Sequence, residues 1–183
     1  MGFLGTIFFG FVVFVILIVL AANADSKGKH TESGERIEYF LSANSFGSIS
    51  SNTAVRAILK QDNLYIYKKH DESVNVTLKY EKITGAKVTS SKEILQKTKS
   101  VAGRAVLGGL ILGPAGAAIG GLSGVGNKQN TVVHNYILIN YKDNSGEINA
   151  ILLDICNASM GWDKFLKELQ EKANVVPEKS VEL

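Results

Sequence analysis

The chain is poor in the residues that usually announce chemistry: one cysteine, two prolines, one tryptophan and two methionines in 183 residues. A single cysteine excludes an intramolecular disulfide framework and a cysteine-rich metal site. Aromatic residues reach only 8% of a chain that is 45% hydrophobic, so the apolar content is mostly Ala, Val, Ile and Leu. Charge of one sign is also lacking. Twenty Lys+Arg face 17 Asp+Glu, and a net of +3, evenly spread, does not mark a nucleic-acid binder. The three histidines, His30, His70 and His134, are too far apart for a local ligand motif. No HExxH, nucleophile elbow or local Cys–His pairing occurs. Asp154 and Cys156 stand two residues apart with no partner visible in the sequence, and His134 falls in a strand pattern as a sheet-face residue. An enzyme, a cofactor and a metal are therefore not expected. The length suits one compact domain plus an anchor.

Two stretches lack charge altogether. The first is residues 1–24, in which residues 3–22 supply about 20 apolar or small side chains, enough to cross a hydrocarbon core of about 30 Å. No Lys or Arg precedes this block, unlike a secretory signal, so it is expected to be retained as a single-pass transmembrane anchor. The small-x-small run Ala22-Asn23-Ala24 keeps open the alternative of cleavage after Ala24 and a secreted body. Lys27, Lys29 and Arg36 follow the span, which places the body on the cytoplasmic side of the cell membrane. Residues 25–52 are rich in Ser, Gly, Asn, Lys and Glu and read as a polar tether. Within it Ile37, Tyr39 and Leu41 alternate as a first edge strand would.

From residue 53 the apolar period becomes two, the mark of half-buried strands. Val55, Ala57 and Leu59 alternate with Arg56 and Lys60, and Asp62-Asn63 supplies turn chemistry before Leu64, Tyr65, Ile66 and Tyr67. Val74, Val76, Leu78 and Tyr80 form the next strand, and residues 83–89 a shorter one. Residues 131–141 and 147–154 make a second hairpin around Asp143-Asn144-Ser145-Gly146. Trp162, Phe165, Leu166, Leu169 and Ala173 then lie on one stripe of an amphipathic helix, which Asn157 or Ser159 could cap. Residues 176–183 read as a disordered tail. Tyr65, Tyr67 and Trp162 are more simply core or sheet-face residues than a ligand box.

The runs Leu64-Tyr65-Ile66-Tyr67, Tyr80-Glu81-Lys82-Ile83-Thr84-Gly85-Ala86-Lys87-Val88, Tyr136-Ile137-Leu138-Ile139-Asn140-Tyr141 and Trp162-Asp163-Lys164-Phe165 resemble the bacterial pleckstrin-homology-like (PH/GRAM-type) domains. The resemblance covers about residues 36–175 and implies a mainly β, α+β fold, with the PH-like domain proper over residues 53–175. A bent antiparallel sheet would be closed by the C-terminal helix, as a binding scaffold without catalysis. The early hairpin carries no headgroup signature that would transfer a phosphoinositide site. Similar glycine-zipper insertions occur in some bacterial PH-like proteins, including ones from prophages.

The second uncharged stretch interrupts that domain. Arg104 is the last charge before Lys128, and nine of the 18 glycines lie between residues 103 and 126. In helical register Gly109, Gly113, Ala117 and Gly121 form one small-residue stripe, and Gly116, Gly120 and Gly124 another, as in a glycine zipper. In water these glycines cost about 1 kcal/mol each relative to Ala, so the stretch needs something packed on it. Gly113-Pro114 near the middle predicts a helical hairpin with two short arms over residues 101–127. Three roles stay open: a hairpin that meets the membrane or self-associates, a second full span, and internal packing. A full span would place the last two strands across the membrane from the first four. A phosphate loop is excluded, because Asn127 and Gln129 stand where Lys and Ser or Thr are required.

Just upstream, Lys82, Lys87, Lys92, Lys97, Lys99 and Arg104 face only Glu93. This is either a solvated connection or a surface for anionic lipid headgroups. The expected function is a membrane-anchored, non-enzymatic interaction module that binds a membrane surface or protein partner and self-associates through the zipper. The alternative is a prophage-type assembly-forming factor, for example one of superinfection exclusion, in which the zipper is the effector.

Overall fold

Side chains that alternate between an apolar interior and a polar surface build most of this fold. The computed structural model describes residues 29–100, 106–107, 110–112, 133–156, 158 and 160–175. The anchor expected at residues 1–24 and the tail at 176–183 lie outside the described residues. Among the described residues no helix is long and apolar enough to cross a membrane.

The elements run β1 (Lys29–His30), β2 (Arg36–Ser42), β3 (Ala54–Leu59), β4 (Asn63–Lys68), β5 (Asp71–Lys79), a 3-10 turn (Tyr80–Lys82), β6 (Ile83–Ser90), α1 (Ser91–Ser100), β7 (Val106–Leu107), β8 (Leu110–Ile111), β9 (Asn135–Lys142), β10 (Ile148–Asp154) and α2 (Trp162–Lys172). Seven strands form an antiparallel sheet in the order β5-β4-β3-β2-β10-β9-β6, and β1 pairs beside the start of β2. The sheet has two halves. β2 pairs with β3 over six positions, from Arg36↔Leu59 to Leu41↔Ala54, but meets β10 at only two, Ser42↔Leu153 and Leu41↔Asp154.

The tether expected over residues 25–52 is corrected by this pairing, because Arg36–Ser42 is an inner strand and the chain after it is an ordered corner. Phe46 and Ile49 are buried there. Two of its polar residues, Ser42 and Asn44, are buried and fastened to backbone. Ser42 Oγ donates to Ser50 O and Thr53 O and accepts from Thr53 N–H. Asn44 donates to Ala150 O and accepts from Leu152 N–H at 2.7 Å. Ser and Asn make local backbone bonds in corners as readily as they populate linkers, so composition alone misread the segment.

One core fills the space between the half-sheets. Val55, Ala57, Leu59, Leu64, Ile66, Leu78, Ile137, Ile139, Ile151 and Leu153 meet Phe165, Leu166 and Leu169 of α2. Fully burying a side chain such as Phe165 or Leu169 contributes about 1.5–3 kcal/mol, which explains why so short a helix holds its place. β2 positions α2 through one face: Arg36 Nε donates to Glu168 at 2.7 Å, and Phe40 meets Phe165 edge-on at 5.2 Å. The expected caps Asn157 and Ser159 lie outside the described residues, and the N-cap of α2 is Gly161, which has no side-chain cap bond of its own. The buried Glu38 carboxylate sits against Gly161 instead, so tightly that a Cβ there would overlap Glu38 Oε1. A carboxylate at a helix N-terminus also opposes the positive end of the helix dipole.

The expected helical hairpin over residues 101–127 is corrected at its start. Val106 pairs with Ile111 and Leu107 with Leu110, a short β-ladder rather than a helical arm. The zipper positions Gly109, Gly113, Gly116, Gly120, Gly121 and Gly124 lie outside the described residues. β9 begins at Asn135, four residues later than the expected start at 131.

Candidate functional site

The structure spreads the basic stretch along an edge. Lys82 donates to Asn144 at the β9–β10 turn, Lys87 is half-buried in β6, and Lys92 is exposed on α1. The eight residues of β6 separate Lys82 from α1 by roughly 25 Å of strand, so Lys82 and Lys92 do not converge on one point. Lys97 and Lys99 belong to α1, and Arg104 lies outside the described residues.

α1 starts where the sheet ends. Ser90 Oγ accepts from Glu93 N–H at 3.1 Å, half of a capping box, while the Glu93 carboxylate accepts from Thr89 Oγ1. Ser91 N–H donates to His134 O at 2.8 Å and Ser91 Oγ accepts from His134 N–H. The insertion therefore leaves and re-enters the sheet through one closed neck. α1 covers the outer face of β9 and β10 through a second apolar cluster: Ala43, Ile94, Leu112, Tyr136, Leu138, Ala150 and Leu152. Ile94 and Leu112 are both fully buried. Burial pushes the Tyr136 phenol up to about 12, with the Asp154 and Cys156 charges adding to it.

The outer face of the other half-sheet is different. Register sets Tyr39 beside Arg56 and Arg56 beside Tyr67, with Tyr65 next along β4. The Arg56 guanidinium lies 5.2 Å from the Tyr67 centroid, Lys60 Nζ 4.9 Å from that of Tyr65, and Lys69 Nζ 5.8 Å from that of Tyr39. Such cation–π contacts hold the charges flat on the rings. Neither apolar cluster includes a residue of this face. Strand alternation places Tyr65 and Tyr67 on the sheet but not the cations beside them, because the pairing β2–β3–β4 is not visible in one strand's alternation.

A third arrangement went unseen in the sequence. β9–β10 pairing sets Tyr136 opposite Asp154, which brings His134, Asp154 and Cys156 together at the neck. His134 Nδ1 lies 2.9 Å from Asp154 Oδ2, and Cys156 N–H donates to Asp154 Oδ1 at 2.7 Å. The expectation that Asp154 lacks a partner and that His134 is a plain sheet-face residue is corrected accordingly. These residues are separated by 20 and two positions, beyond any local motif. They could hold a metal ion.

A family model described as "Glycine zipper containing PH domain" matches residues 43–154, more than half of the chain. The match runs from the corner after β2 to the end of β10 and includes the insertion, while β2 and α2 fall outside it. No curated protein and no solved structure matches. The chain belongs to the family of glycine-zipper-containing PH domains, and its mainly β architecture with a closing C-terminal helix agrees with a PH-like interaction module.

Proposed function

We propose that this member of the glycine-zipper PH family is a membrane-anchored, non-enzymatic interaction module with two unlike sides. The insertion side faces the membrane: α1 with Lys92, Lys97 and Lys99 lies against anionic headgroups, and the glycine zipper beyond it meets the bilayer or a second copy. The opposite face, with Tyr39, Arg56, Tyr65 and Tyr67, is left for a protein partner. The observation that carries this reading is the packing of Ile94 and Leu112 on the outer face of β9 and β10, which commits the root of the insertion to one side of the domain. Residues 1–24, apolar over the length of a bilayer, would bring that side to the membrane.

Basic residues near an anionic surface contribute about 1 kcal/mol each, so replacing Lys92, Lys97 and Lys99 by Gln should weaken binding to anionic vesicles roughly a hundredfold at low salt. The matched replacement of Arg56, Lys60 and Lys69 should leave it unchanged. Binding measured by co-sedimentation, on protein lacking residues 1–24, that stays equal in the first variant returns α1 to a solvated connection. The zipper is tested separately. Gly116→Leu with Gly120→Leu should remove crosslinked oligomers of the full chain while the sheet keeps its resistance to proteolysis. Unchanged oligomers would make the glycines a linker.

A further inference from the structure

We propose that His134, Asp154 and Cys156 form a binding site for a thiophilic divalent cation of the zinc type. The three residues offer an imidazole nitrogen, a carboxylate oxygen and a sulfur, all within 4.8 Å of one another. A tetrahedral ion with bonds of about 2.0–2.3 Å needs donor separations of roughly 3.3–3.6 Å, so closing the site takes side-chain adjustments on the order of 1 Å. Water from the open side completes the fourth position, as in zinc sites that keep one protein ligand vacant. This donor set suits zinc or cobalt, and the sulfur disfavours magnesium and calcium, which select oxygen.

The backbone holds the donors in place before any ion arrives. Asp154 pairs with Tyr136 in the last rung of the β9–β10 ladder, His134 stands just before β9, and Ile155 N–H donates to Asn135 O at 3.0 Å beyond the rung. Asn135 N–H donates to Cys156 Sγ at 3.3 Å, which holds the sulfur beside the other two donors. Asp154 is 5% exposed and accepts from the Cys156 N–H, so it cannot swing away into solvent. The side chain of His134 is 43% exposed and Cys156 is exposed, which leaves an entry path. Because the backbone of His134 is tied to Ser91, a bound ion would also fasten the neck through which the insertion leaves the domain.

The test uses the full chain in detergent micelles with Co2+ as the probe. One equivalent should bind with a sulfur-to-cobalt charge-transfer band that Zn2+ abolishes. Cys156→Ser should lose the band and weaken Co2+ binding at least tenfold, and His134→Gln should weaken it by about 10–100-fold. The exposed position of Cys156 makes its replacement safe for folding, whereas Asp154→Asn touches a buried pair. Cys156 is the only thiol, so its alkylation rate is an independent readout, and Zn2+ should slow it at least tenfold. A wild-type chain without the charge-transfer band, Co2+ affinity unchanged in Cys156→Ser, or alkylation at the same rate with and without Zn2+ would each overturn the site.

Discussion

The two half-sheets of this domain share one interior but have opposite exteriors. The outer face of β9 and β10 carries Tyr136, Leu138, Ala150 and Leu152 and is covered by Ile94 and Leu112. That of β3 and β4 carries Arg56, Tyr65 and Tyr67 and is left half-exposed. The difference teaches that the insertion is not an appendage on a finished fold. Its first residues supply side chains that one half-sheet needs for burial, while the other half-sheet is made to face water or a partner.

The comparison breaks most visibly in stability. Ile94→Ala and Leu112→Ala should each cost about 2–4 kcal/mol in denaturant unfolding, since each removes a fully buried side chain. If either change is neutral, the cover is not a packed layer. Gly161→Ala comes next. The new Cβ must displace the Glu38 carboxylate from the start of α2, at a cost of about 1–3 kcal/mol, and Glu38→Ala in the same chain should recover part of it. Tyr67→Ala on the open face should cost less than either, about 1 kcal/mol, because it loses half-exposed packing and one cation–π contact. A loss as large as that at Ile94 would mean the open face is structural.

A further effect appears only at alkaline pH. Folded Tyr136 holds its proton up to about 12, whereas an unfolded tyrosine releases it near 10.0. Its contribution to stability is complete below pH 10 and is lost as pH rises from 10 to 12, because only the unfolded state gains by ionising there. Tyr136→Phe should reduce the loss in that part of the stability profile followed by circular dichroism, while Tyr80 and Tyr141, also raised by burial, keep the rest; an unchanged profile would assign the alkaline loss to those two.

Much of this was legible in the sequence, for physical reasons that can be named. Strands β3 to β6 follow from alternation at Val55, Ala57 and Leu59 and at Leu64 and Ile66, and α2 follows from Phe165, Leu166 and Leu169. The covered face also left a trace. Tyr136-Ile137-Leu138-Ile139 does not alternate, and an uninterrupted apolar strand is one buried on both sides. What stayed hidden depended on register or on buried polar groups. The corner Ser42–Asn44 resembles linker composition until its bonds to Thr53 and Leu152 are seen. The ring-and-cation face needs the β2–β3–β4 pairing, and the His134 cluster needs the β9–β10 rung at Asp154.

Sidedness is tested most directly by lysine footprinting of the full chain reconstituted in nanodiscs, once with neutral and once with anionic lipid. Acetylation of Lys92, Lys97 and Lys99 should fall in the anionic discs, while Lys60 and Lys69 should react equally in both. Protection of Lys60 and Lys69 by anionic lipid, with Lys92 unaffected, would contradict the account and turn the domain over.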